Sequence, residues 1–198
     1  MDRELVTLGT ILKDSGIWWQ IDGGLNVSLL QDNYIGVHKD IDVSFQRKDI
    51  PRLEQVLAQH GYGLFLYKVE DAPDGTQQHI LRRVGAEGFK KTGFWRYDIH
   101  AIDESGTIRP TDHLTWLDVH VVERDQEGRP YYDEYEQTIM PEEWLDTKEI
   151  QFQGVPLKLS NPARLLYFKM FFGRAYDEKD IEQYTGLGAV TLHDLDSV

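Results

Sequence analysis

Two short runs of the sequence hold acids at a spacing suited to chemistry. The first is His38-Lys39-Asp40-Ile41-Asp42-Val43. On a strand, side chains at i and i+2 share a face, so Asp40 and Asp42 stand side by side while Ile41 and Val43 turn the other way. Paired carboxylates repel each other unless a cation lies between them. A divalent ion with oxygen ligands resolves the repulsion, and Mg²⁺ favours one or two carboxylates together with substrate phosphates. A solvated strand face of alternating polarity has the same spacing. The second run is Trp116-Leu117-Asp118-Val119-His120-Val121. Alternation puts Trp116, Asp118 and His120 on one face and the three aliphatic residues on the other. If this strand pairs beside the first, a third carboxylate joins the other two. Three acids can hold two metals ~3.5–4 Å apart across an in-line displacement at phosphorus. An outward, solvent-facing strand accounts for Asp118 equally simply.

Other residues carry weaker signals. Gly23-Gly24 falls between an apolar strand and a short helix. Glycines at a helix start let backbone N–H groups approach phosphate oxygens closely, although a tight turn explains the pair as well. Lys169 is a lone cation in an apolar helical stretch. It can reach a triphosphate or snorkel to the helix edge. The seven histidines show no zinc-protease spacing; His100 reads as structural or exposed rather than as a ligand, and His38 as shaping the acidic strand rather than as an acid or base. Trp95, Tyr97, Tyr131, Tyr132 and Tyr135 can stack on a base or pack a core. The acids Asp133, Glu134, Glu136, Glu142 and Glu143 read as a solvated face that can attract a cationic acceptor.

The elements that must position these residues follow from periodicity and breakers. Leu5, Leu8, Ile11 and Leu12 mark a helix over 3–15. A strand at 17–21 ends at the glycines, a short helix spans 25–30, and a strand runs over 37–45. Asp49-Ile50-Pro51 opens a helix that faces Leu53, Val56 and Leu57 inward and stops at His60-Gly61. Stretches 64–69, 79–84, 94–102 and 114–122 are rich in β-branched and aromatic residues and are separated by Asp74-Gly75, Ser105-Gly106 and Glu127-Gly128-Arg129-Pro130. Residues 148–152 and 155–159 form a hairpin around Gly154. Ser160-Asn161-Pro162 opens a helix with Leu165, Leu166, Phe168 and Phe172 facing in, and a last helix covers about 178–184. The pattern predicts an α+β fold with a mixed, mostly antiparallel sheet, flanking helices and a short C-terminal helical segment. It divides as a core of residues 1–159 and a helical segment, 160–198, packed on it.

Composition narrows the classes of function. The 198 residues suit one domain, and 21 Lys and Arg against 34 Asp and Glu give a net charge of −13. A protein that grips a nucleic-acid backbone carries a basic footprint instead, so nucleic acid is not an expected partner. A cationic small molecule, or a nucleotide whose charge a metal meets, remains compatible. With no cysteine, disulfides, thiolate nucleophiles and iron–sulfur clusters are excluded. The N-terminal residues lack the pattern of a secretory signal, and the longest apolar run, 165–172, contains Lys169, so a cytoplasmic chain without a membrane span is expected.

Taken in order, the motifs resemble those of polymerase-β-type nucleotidyltransferases, and within them the small bacterial aminoglycoside and lincosamide nucleotidyltransferases. Trp19-Gln20-Ile21-Asp22-Gly23-Gly24 is similar to that group's apolar stretch ending Asp-Gly-Gly. His38-Lys39-Asp40-Ile41-Asp42 and Leu117-Asp118-Val119-His120 match its two acidic strands, and 159–181 resembles its C-terminal helices. Leu25-Asn26-Val27-Ser28 departs from the usual Trp-Ala and acidic residue, and 61–113 matches none of the group's motifs. The resemblance implies a nucleotidyltransferase fold and magnesium-dependent transfer of a nucleoside monophosphate from an NTP, expected to be ATP, to a hydroxyl of a small acceptor resembling such an antibiotic. It implies that Asp40, Asp42 and Asp118 hold two Mg²⁺ ions, with Asp118 also taking the acceptor's proton. Gly23, Gly24 and Lys169 would bind the nucleotide. The rival expectations are a non-catalytic nucleotide-binding relative and a toxin–antitoxin-type transferase with a macromolecular acceptor.

Overall fold

The computed structural model describes residues 2–32, 34, 40–84, 96–109, 117–132, 138–172, 178 and 181–182. Among them the chain alternates helices and strands before a run of strands: α1 (Asp2–Leu12), β1 (Trp19–Ile21), α2 (Gly23–Leu30), β2 (Ile41–Gln46), α3 (Ile50–Gln59), β3 (Tyr62–Asp71) and β4 (Gln77–Arg83). There follow β5 (Arg96–Ala101), β6 (Leu117–Arg124), β7 (Pro130–Tyr132), β8 (Lys148–Phe152), β9 (Val155–Leu159) and α4 (Pro162–Phe172). The strands join in one sheet of order β4-β3-β5-β6-β2-β1-β9-β8, with β7 beside β6. Two pairings are parallel, β2 with β6 and β1 with β9, and the others are antiparallel. This is the α+β, mixed and mostly antiparallel architecture that the pattern predicts.

Alternation explains how the sheet is used. Ile41, Val43 and Phe45 of β2 and Leu117, Val119 and Val121 of β6 are buried on one face, where Leu5 and Leu8 of α1 and Leu53 and Leu57 of α3 cover them. Burying so many aliphatic side chains, at about 1.5–3 kcal/mol each, fixes the register, because a slip of one residue would send each of them to the other face. The polar residues between them have the opposite face. There a second cluster packs Val122 and Tyr132 against Trp144, Leu145 and Phe168, while Leu165 and Leu166 of α4 meet Val27 of α2.

Several boundaries differ from the expectations. α1 ends at Leu12 rather than 15, and α2 begins at Gly23, so both glycines lie in its first turn. β2 begins at Ile41, which leaves Asp40 exposed just ahead of it and not on the strand. The three-residue β7 and the 3₁₀ turn Glu142–Leu145 were not anticipated, being too short to show a period. His38, Lys39, Trp95, Trp116, Asp133, Glu134, Tyr135 and Glu136 lie outside the described residues, as does most of the last expected helix. Glu178, Ile181 and Glu182 of that stretch are described, and they are helical.

Candidate active site

The parallel pairing of β2 and β6 sets Asp42 directly beside Asp118 and Ser44 beside His120. All four side chains project from the face opposite the aliphatic core. Asp42, Asp118 and His120 each offer a ligand atom, and these atoms lie within 4.8 Å of one another. His120 Nε2 is 3.5 Å from Asp42 Oδ1, and both side chains are partly exposed, at 23% and 28%. Two carboxylates and an imidazole converging on one partly open point form a donor set fit for a divalent ion, since hard oxygen ligands meet its charge and offset their own repulsion. Asp40 is outside this group, standing exposed before the first residue of β2.

The glycine pair adjoins the acids. Gly23 has φ +65°, and a Cβ built on it would overlap Asp42 Oδ2, so only glycine lets α2 begin this close to the carboxylate. Asp22 occupies the N-cap of α2 but makes no capping bond with its side chain. That carboxylate turns inward instead. Lys169 lies in α4 and is buried at 8% exposure, three and four residues after Leu166 and Leu165, which pack towards α2.

Below the acids lies a buried polar network that sequence reasoning did not single out. Arg164 of α4, fully buried, forms an ion pair with Asp22, whose side chain is 4% exposed. Asp22 also accepts hydrogen bonds from Ser160 Oγ, from Ser44 Oγ and, at 3.1 Å, from Tyr132 OH. The Arg164 guanidinium lies 5.5 Å from the centre of the Tyr132 ring, and Tyr132 in turn packs edge-on to His120 at 5.8 Å. Burial raises the Tyr132 phenol well above its ordinary range, so it is a donor at all working pH values. The signal for this network in the sequence was Asp22 itself, an acid flanked by an apolar strand and two glycines, and the Arg inside the apolar helix that follows Ser160-Asn161-Pro162.

The segment 61–113, in which the sequence showed no matching motif, supplies β3, β4 and β5, and β5 lies next to β6. Tyr97 pairs with Val119. In an antiparallel pair that register places Asp98 opposite Asp118, on the same face by alternation. His100, expected to be structural or exposed, is buried, with Nε2 2.8 Å from Asp98 Oδ2 and its ring edge-on to Phe65 at 5.3 Å.

A profile of the aminoglycoside-2''-adenylyltransferase family matches residues 4–73, a stretch that contains Gly23, Gly24, Asp40 and Asp42 but not Asp118. The structure superposes on a lincosamide antibiotic adenylyltransferase with lincomycin bound, at a TM-score of 0.51 and 15% identity, covering 93% of this chain and 96% of that one. The fold is that of the nucleotidyltransferases. The antibiotic-resistance factor ANT(2'')-Ia, in complex with adenylyl-2''-tobramycin, gives the same TM-score at 16% identity over 96% of this chain and 91% of that one. Its solution structure agrees, at 0.51 over 95% and 84%. No curated protein sequence matches the chain. In a nucleotidyltransferase fold the polar sheet face that holds Asp42, Asp118 and His120 is therefore presented by a scaffold shared across most of the chain. Among the described residues no helix is long and apolar enough to cross a membrane.

Proposed function

We propose that the protein is a magnesium-dependent nucleotidyltransferase that moves a nucleoside monophosphate from an NTP, ATP first, to a hydroxyl of a small acceptor related to aminoglycoside or lincosamide antibiotics. The observation that carries this reading is the pairing of Asp42 with Asp118 across β2 and β6, with His120 converging on them. The family profile and the two antibiotic adenylyltransferase structures support the acceptor class. In this reading residues 1–159 form the catalytic unit, 160–198 a helical segment packed on it, and the enzyme works in the cytoplasm, where NTPs are made.

Asp40, Asp42 and Asp118 would hold two Mg²⁺ ions, which supply positive charge to the triphosphate and to the developing negative charge of the leaving pyrophosphate. The chain's own residues do the rest. Asp118 takes the proton of the acceptor hydroxyl as its oxygen bonds to the α-phosphorus and the bond to pyrophosphate breaks. Gly23 and Gly24 let the first backbone turn of α2 approach phosphate oxygens, with the positive end of the helix dipole behind them. Asp22, turned away from the helix end, adds no capping carboxylate there. Lys169 would balance phosphate charge from α4.

The test is incubation with each labelled NTP, Mg²⁺ and a panel of aminoglycosides, lincosamides and hydroxylated metabolites, read by the mass shift of the acceptor. With a modified acceptor in hand, Asp118→Asn is expected to lower single-turnover transfer ~10²–10⁴-fold, the usual worth of a general base, while the thermal melt stays near wild type. Transfer at the wild-type rate would exclude Asp118 as the base, and transfer undiminished by EDTA would exclude the metal.

A further inference from the structure

We infer that the buried Asp22–Arg164 pair is the device that positions the proposed metal-binding face, and that Arg164, from the C-terminal helix, is therefore part of what gives that face its affinity for a divalent cation. The inference rests on the metal reading above. Asp22 grips β2 on both sides of Val43. Its backbone N–H donates to the Asp42 carbonyl at 2.8 Å, and its carboxylate accepts from Ser44 Oγ. These are the residues that lie beside Asp118 and His120. The next residue, Gly23, touches Asp42 Oδ2 so closely that no side chain fits there. Tyr132 OH lies 3.1 Å from both Ser44 Oγ and Asp22 Oδ2, and its ring packs against His120.

Arg164 closes the network from the other side. It donates to Asp22 and to Ser160 Oγ and is fully buried. Ser160 in turn is fixed by its backbone N–H to the Ile21 carbonyl at 3.1 Å. A purely architectural need for packing is met at lower desolvation cost by apolar residues, since replacing a buried ion pair with them is often neutral or stabilising. An ion pair holds direction as well as volume. Here the direction it holds is that of the strand and turn that carry Asp42, and the Arg164 charge offsets an acid bonded to the backbone of Asp42. Groups behind metal ligands typically change metal affinity ~10–100-fold when removed.

The experiment compares Mn²⁺ binding to chelator-stripped protein, followed by the electron paramagnetic resonance of free Mn²⁺, with thermal melts taken without metal. The variants are Asp22→Asn, Arg164→Met, the two combined, and Tyr132→Phe. Each single change at the pair leaves a buried charge or donor uncompensated and should lower the melt. The double variant should melt near wild type yet bind Mn²⁺ ~10–100-fold more weakly. Tyr132→Phe keeps the ring and loses the bonds to Ser44 and Asp22, and should weaken binding in the same direction. A folded double variant with wild-type Mn²⁺ affinity would overturn the inference. If the double variant does not fold, wild-type Mn²⁺ affinity in Asp22→Asn or Arg164→Met, measured well below its melt, does so. Wild-type protein that binds no Mn²⁺ would overturn the metal reading as well, whereas Mn²⁺ bound by wild type and lost in Asp42→Asn keeps that reading whatever the pair variants show.

Discussion

At Gly23 one hydrogen atom in place of a side chain decides how near a helix can start to an acid. Its φ of +65° is a left-handed conformation, and the space a Cβ would take is occupied by Asp42 Oδ2. Gly23→Ala must therefore either move Asp42 or shift the start of α2, and it bears about 1–2 kcal/mol for the left-handed backbone in addition. The expected outcome is a lower melting temperature together with a larger, separate loss of Mn²⁺ binding, measured on protein held well below its melt. Mn²⁺ affinity equal to wild type would mean that the glycine serves only the turn. The sequence shows the Gly pair and the Asp-x-Asp run but not that they touch, because the contact is made between β1–α2 and β2 only after the two strands pair. The same applies to His120, which alternation places on the face of Asp118 but which reaches Asp42 only through the parallel neighbour.

Among the elements, α1 lies on the far face of the sheet from the acids and approaches β9 closely at Gly9. A Cβ there would stand 2.9 Å from Val155 Cγ2, 3.0 Å from the Pro156 carbonyl and 3.1 Å from Leu157 Cδ2. Gly9→Leu should force α1 off the strand and cost about 1–3 kcal/mol, the range for overpacking, read as an earlier urea midpoint. Mn²⁺ binding should stay unchanged, because β9 meets the acids only through β1 and β2. A coupled loss of both would show that the two faces of the sheet are not independent. The elements themselves were legible where a period runs long enough: α3, with Leu53 and Leu57 inward, and the hairpin β8–β9 lie where predicted. The three residues of β7 contain too few alternations to read, although Tyr132 on β7 proves to be a member of the buried network.

For the molecule as a whole, the residues after β9 are structurally committed to the rest. α4 supplies Arg164 to Asp22, Leu165 and Leu166 to Val27, and Phe168 to Tyr132 and Trp144. A chain ending at residue 159 would leave Asp22 buried without its cation, a loss of about 3–5 kcal/mol, and would uncover two apolar clusters. Stability of the whole is typically about 5–15 kcal/mol, so such a chain should fail to fold cooperatively. Far-ultraviolet circular dichroism through a urea titration checks this. A truncated chain with a sharp transition near that of the full protein would show 160–198 to be a separable appendage.

By itself the sequence determined which residues were available and which face Asp42 and Asp118 would take, though not that Asp40 lies off the strand. Alternation in Ile41-Asp42-Val43 and in Leu117-Asp118-Val119 sorts acids from aliphatics on each strand, because burial of the aliphatic set is worth far more than any local preference. The ordered motifs also resembled a known superfamily, and its fold is the one found. What only tertiary structure decided was adjacency. Seventy-odd residues separate Asp42 from Asp118, and nothing local states that β6 lies parallel to β2 in the register that pairs them. Nor does local pattern say that β5, from the stretch that matched no motif, lies next to β6, or that Arg164 of α4 turns inward to Asp22. Such contacts are chosen by the closing of the whole sheet and by the need of a buried charge for a partner, and both are settled across the chain rather than along it.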